Sequence, residues 1–300
     1  MKMSEFSNLL REQLQLSLGE ETQIRVQETR KNNGVLLHGL MIERKDCKLF
    51  PTIYLETFKE SFDQGTPLQA LVNQVLDIYE NALPQSPPDM EFFSDFEKVK
   101  GRIAYKLINA SANEELLGEI PHIKYLDMAI CFYYLCDEAM FKTGSILLYN
   151  THLEMWHTTV SMIYELAKQN TPVLLPLHFD SLASSVSKAS DGEIAVPPVP
   201  NPISVVSNEK FYLGAAAILY PETLEMLYQH YGNDYYVIPS SIHEVLTLSV
   251  GNPSPSDILQ IIVVANQTQV SKDEFLSNSL YQYSHDTKRL DVVSTAVHLK

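Results

Sequence analysis

Cysteine is scarce in this chain. Cys47, Cys131 and Cys136 are the only three in 300 residues, too few to brace a fold of this length with disulfides. Basic residues are also short, 22 Lys and Arg against 37 Asp and Glu, which leaves a formal charge of -15. A protein that neutralises phosphates carries a basic face, so this balance argues against a nucleic-acid partner and against an anionic membrane surface. No apolar run reaches bilayer length, and charges and glutamines interrupt residues 1–21, where a signal peptide needs an unbroken apolar stretch. The GxGxxG, P-loop, EF-hand and kinase signatures are all missing. These absences predict a reduced, cytoplasmic protein with no membrane span. With 45% hydrophobic residues there is still ample material for a core.

The periodicities predict interleaved helices and strands. Phe6, Leu9, Leu10, Leu14 and Leu18 recur at helical spacing. Residues 22–30 alternate, Asn33-Gly34 tolerates positive φ, and 35–42 should return as a hairpin. Thr66 followed by Pro67 is a helix start, with Leu68, Leu71, Val72, Val75, Leu76 and Tyr79 on one stripe. Three prolines make 81–89 a linker.

Beyond it one order of elements occurs twice: an apolar strand, a short helix, two β-rich runs and a longer amphipathic helix. The first copy covers 98–170. It has a β-like run at 98–110, a short helix at 113–118, a strand apolar on both faces at 126–137, another at 145–149, and a helix capped by Asn150 or Thr151 running through Ala167. The second, 210–269, opens on the apolar run 211–220. Pro221 then starts a helix stopped by Gly232, strands follow at 235–238 and 242–249, and Ser256 caps a last helix. Residues 184–208, rich in Ser and Pro, read as a surface excursion or hinge, and 280–293 as a hairpin. The class is α+β, mixed sheets with interleaved helices, in an order that admits two related strand-helix-strand-strand-helix halves. The division is 1–91, an N-terminal helix-hairpin-helix region; 92–183, the first half; 184–208, the connection; and 209–300, the second half.

Few residues look chemical. His152 and His157 in HLEMWH are five apart, and at about 100° per residue they turn away from one another, so the stretch reads as a helix start and not as a metal site. Cys131 and Cys136 fall on opposite faces of a strand and act as small hydrophobes. IPSSIHEVL, 238–246, is the leading candidate: Ser240, Ser241, His243 and Glu244 are residue types used in acyl transfer. Yet His243 and Glu244 would point to opposite sides of a strand, and no GxSxG elbow surrounds either serine. The plainer reading gives the serines turn amides and the His or Glu a buried hydrogen bond. Asp127, near His122 in the first copy, would open the central strand, as a buried acid or as an acceptor of backbone hydrogen bonds at the sheet end. Asp273-Glu274 reads as a solvated edge or helix start. No metal or cofactor is implied.

Several runs together resemble a known family: PTIYLETF (51–58), PHIKYLDMAICFYYL (121–135), LYNTHLEMWH (148–157), YELAKQNTP (164–172), GAAAILYPETLE (214–225), YVIPSSIHEVL (236–246) and VANQTQVSKDEFLSNSLYQY (264–283). They resemble the bacterial (Firmicutes) family called domain of unknown function 5688, over nearly the whole chain. The resemblance implies a bacterial intracellular protein and brings no activity, cofactor or catalytic residue with it. Two readings of function follow. The first is a non-enzymatic binding or adaptor module for a protein or small-molecule partner, using a groove between the halves or an exposed sheet edge. The second is a hydrolase-like enzyme centred on Ser240, Ser241, His243 and Glu244, with His122 and Asp127 contributed by the first copy.

Overall fold

The structure, a computed structural model, describes residues 1–43, 51–82, 90–136, 144–189, 201–251 and 253–295. The linker expected at 81–89 and Cys47 lie largely or wholly outside these residues. The chain divides into two compact units, 1–95 with 135–145, and 96–134 with 146–300.

The first unit is a three-stranded antiparallel sheet under three helices. Helix α1 (Met3–Leu18) buries Phe6, Leu10 and Leu14. Strands β1 (Gln23–Arg30) and β2 (Leu36–Glu43) pair over their whole length, because Asn33 and Gly34 both take positive φ between them. Strand β3 (Thr52–Tyr54) adds to β2, and α2 (Glu56–Asp63) and α3 (Leu68–Ala82) follow. Leu71, Val72, Val75 and Tyr79 of α3 meet Leu40, Ile42 and Ile53 of the sheet in one core, as their helical spacing requires.

The second unit begins with α4 (Phe96–Val99) and a 3₁₀ turn, so the strand expected from 98 starts only at β4 (Ile103–Asn109). The reason is visible: the Asn170 amide donates to the carbonyls of Lys100 and Ile103, and keeps that stretch out of a ladder. After α5 (Glu114–Glu119), β5 (His122–Tyr125) and β6 (Met128–Leu135) form a hairpin turned by Leu126 and Asp127. All eight residues of β6 are buried between β4 and β5, as expected for a strand apolar on both faces. Strand β7 (Ser145–Leu147) also pairs with β6.

The long helix expected from 150 is two, α6 (Asn150–Met155) and α7 (Val160–Leu174). His157 takes φ 51 between them, and the Thr159 hydroxyl accepts the Met162 N–H at 3.3 Å to start α7 afresh. Next come β8 (Leu177–Ser181), α8 (Leu182–Ala189) and β9 (Ser204–Asn208). Of the surface excursion expected over 184–208, residues 190–200 lie outside the described residues, and its last five, β9, differ from the expectation because the sheet buries them. The run 211–220, expected to open the second copy, is instead largely a 3₁₀ helix, Gly214–Leu219, leading into α9 (Thr223–Tyr231).

Strands β10 (Tyr235–Pro239) and β11 (Val245–Ser249) then pair, followed by α10 (Pro255–Thr268) and the hairpin β12 (Ser279–Ser284) and β13 (Arg289–Thr295). Ser254, not Ser256, caps α10: its hydroxyl accepts the Asp257 N–H, and Pro255 takes the first helical position. These strands form a six-stranded sheet in the order β13-β12-β10-β11-β9-β8. The class is α+β with three antiparallel sheets and interleaved helices. Within it β4-β6-β5 and β9-β11-β10 have one connectivity: the third strand of each set lies between the first and the second.

Candidate functional site

The PSSIHE stretch leaves the sheet before its polar residues. Strand β11 opens only at Val245, so His243 and Glu244 belong to a loop, not to the strand expected from 242. Two backbone bonds pull the loop out of the ladder. Ile242 N–H donates to the Glu274 carbonyl at 2.9 Å, and Ala215 N–H donates to the Ile242 carbonyl at 3.2 Å. The alternation once expected of His243 and Glu244 therefore does not apply, and hydrogen bonds set their directions.

Those bonds are specific. Ser241 Oγ accepts the backbone N–H of His243 at 3.0 Å, and Ser240 Oγ donates to Glu244 Oε1 at 3.2 Å. His243 Nδ1 accepts the Leu213 N–H at 3.1 Å, which places the ring proton on Nε2, 3.5 Å from Glu274 Oε1. A base serving Ser241 would need an imidazole nitrogen with a lone pair turned toward its hydroxyl. Nδ1 is already held by Leu213 and Nε2 faces a carboxylate.

The loop packs on a tight backbone crossing. Ser207 Oγ donates to the His243 carbonyl at 2.7 Å, and Asn208 Oδ1 accepts the N–H groups of Lys210 and Tyr212 just beyond the end of β9. Phe211 and Leu213 both take positive φ (48° and 53°), an arrangement that costs on the order of 1 kcal/mol or more for each such side chain. Gly214 follows because a side chain there would strike the Asn208 nitrogen and the His243 carbonyl.

Asp127 occupies the equivalent place in the first set of strands, at the turn between its second and third. It sits in that turn instead of opening β6, because Leu126 before it takes φ 56. Its carboxylate accepts three hydroxyl protons, from Ser277 (2.6 Å), Ser279 (2.8 Å) and Tyr281. Burial, and then the Asp127 charge, push the Tyr281 phenol well above its ordinary range, so it stays a donor. Asn109 ends β4 as Asn208 ends β9. Its Oδ1 accepts the Ala112 N–H at 2.8 Å, and its Nδ2 donates to the Leu276 carbonyl at 2.9 Å.

One short segment, 274–281, thus touches both sets: Glu274 meets the PSSIHE loop, while Leu276, Ser277, Ser279 and Tyr281 meet Asn109 and Asp127. Ser240, Ser241, His243 and Glu244 share one loop, and Asp127 lies along the same seam. His122 is apart, exposed at the far end of β5, with Nδ1 on the Ile120 carbonyl at 3.1 Å. The sequence reading missed Glu274 as a partner, along with Asn109, Leu213, Ser277, Ser279 and Tyr281. Only the matching asparagines at two strand ends were there to be noticed.

Elsewhere, His152 accepts the Tyr149 N–H at 3.0 Å, a capping role at the start of α6. Burial pushes the Cys131 thiol up to about 12, which makes it a small hydrophobe in β6. Among the described residues no group of three or more His, Cys, Asp or Glu is placed to hold a metal ion, and no helix is long and apolar enough to cross a membrane. No curated protein and no solved structure matches the chain. A family defined by sequence does, over residues 3–285, and that span takes in every strand and loop of the seam except part of the final hairpin. The chain therefore belongs to the family of unknown function DUF5688.

Proposed function

We propose that this protein is a non-enzymatic binding module that takes an extended segment of a protein partner on the edge of its six-stranded sheet. One observation carries the reading. Strand β13 ends the sheet, and its stretch from Val292 to Thr295 has no charge, with Val292 and Val293 45% and 39% exposed. Edge strands that avoid pairing are usually guarded by lysines, prolines or a covering element, because a row of free backbone groups is a template for a further strand. The charge of -15 favours a partner segment that alternates apolar and basic residues.

Two features support a scaffold over a catalyst. The PSSIHE hydroxyls and imidazole are engaged in loop-shaping bonds, so the hydrolase reading lacks a base directed at Ser241. The shared connectivity of β4-β6-β5 and β9-β11-β10, each with an asparagine closing its first strand, also fits a duplicated module joined along 274–281. A bacterial cytoplasm suits the reading, since its reducing conditions keep buried thiols such as Cys131 free.

The test compares the full chain with Val292→Lys as bait in lysate of the native cell, after equal thermal midpoints are confirmed. The expected result is a partner held by the parent chain and lost by the variant. Equal retention by both would remove β13 as the binding edge.

A further inference from the structure

Between α10 and the sheet face made by β10 and β11 lies a cavity of about 200 Å³. Ile238, Leu246 and Leu248 line it from the sheet, and Ile258, Ile262 and Ala265 from the helix. Ser240, Asn266 and Gln269 complete the lining as its polar residues. An aliphatic cavity of about 150 Å³ stays dry and takes up a benzene-sized molecule, so this one has room for a skeleton of about six carbons. Water gains no hydrogen bond from the aliphatic walls. An apolar occupant gains contact with all of them.

The polar atoms narrow the choice. Asn266 Nδ2 already donates to the Ser277 carbonyl (2.9 Å) and to Asn278 Oδ1 (2.8 Å), which leaves its Oδ1 as an acceptor. The Ser240 proton goes to Glu244, so Ser240 Oγ also presents lone pairs. Gln269 gives one of its two amide hydrogens to Thr268, and it ends α10 at the negative end of the helix dipole. The acceptors of Asn266 and Ser240 and the negative helix end outweigh the one remaining Gln269 N–H, so a group that donates is favoured over a carboxylate.

We propose that this cavity is a binding site for a compact apolar molecule bearing one alcohol or amine group. The proposal goes beyond the edge-strand reading and does not depend on it. The test uses the full chain with methyl-labelled Ile and Leu, titrated with three probes, 1-hexanol, hexylamine and hexanoate, and with cyclohexane as an apolar control, and followed by NMR. The expected result is saturable one-to-one binding of hexanol and hexylamine, shifts centred on Ile238, Leu246 and Ile262, and hexanoate at least about tenfold weaker. Ala265→Phe, which fills the cavity, should abolish these shifts. Ser240→Ala removes one acceptor at nearly constant volume and should weaken hexanol about three- to tenfold while leaving cyclohexane unchanged, so the proposal stays testable even if Ala265→Phe fails to fold. Hexanoate binding as tightly as hexanol, or no saturable binding by any of the three probes, would overturn it.

Discussion

A methyl group added at Gly214 would lie 2.5 Å from the His243 carbonyl and 2.8 Å from the Asn208 nitrogen, and it would also strike the Ser207 hydroxyl. The hydroxyl can rotate away, but the two backbone atoms belong to a strand end and a loop that are themselves pinned. Gly214→Ala should therefore cost about 2–3 kcal/mol, read as a lowered urea midpoint. Gly118, with nothing within 4 Å of the same added methyl, is the control and should be neutral or slightly stabilised. Asp127→Asn is the second test at this scale. The amide would bring two donors against three hydroxyls that already donate, so a loss of about 3 kcal/mol is expected in the same assay. Neither effect was legible in the sequence. The PSSIHE stretch could be picked out by composition, but Ser277 lies 150 residues from Asp127 and nothing local in either neighbourhood points to the other.

Elements whose punctuation is written in residue types were legible, and those punctuated by tertiary contacts were not. Asn33-Gly34 announced its hairpin and Gly232 the end of α9, because each supplies the positive φ its turn needs. Leu126, His157 and Leu213 take the same conformation without any such signal, so the β5–β6 hairpin, the break between α6 and α7 and the turn after β9 went unread. Strand β9 was hidden differently: Ser and Pro around it outweighed the two valines that the sheet buries.

Helix α6 offers a pH test. Burial lowers the His152 pKa from 6.5, and its ring accepts the Tyr149 N–H, so the folded state holds the neutral form. The unfolded chain then binds the proton first. This contribution to stability is complete above about pH 6.5 and is lost as pH falls through the folded value. Urea midpoints at pH 8 and pH 5 should differ more for the parent chain than for His152→Gln. Equal differences would assign the pH response to other groups.

Over the whole molecule the net charge of -15 acts at long range. If β13 receives a basic segment, association with a partner should slow steeply between low and high ionic strength while dissociation changes little, which stopped-flow mixing can separate. A salt-independent association rate would mean that apolar contact alone governs the encounter.

The seam at 274–281 also sets an order of events in the cell. A ribosome adding about 5–20 residues per second delivers Ser277 about 8–30 s after Asp127, 150 residues earlier in the chain. Through that interval the nascent β4–β6 sheet carries a carboxylate without the hydroxyls that will later satisfy it. Final closure of the second unit then waits on translation, and a stalled or shortened message would release a chain whose earlier half has been built but never fastened.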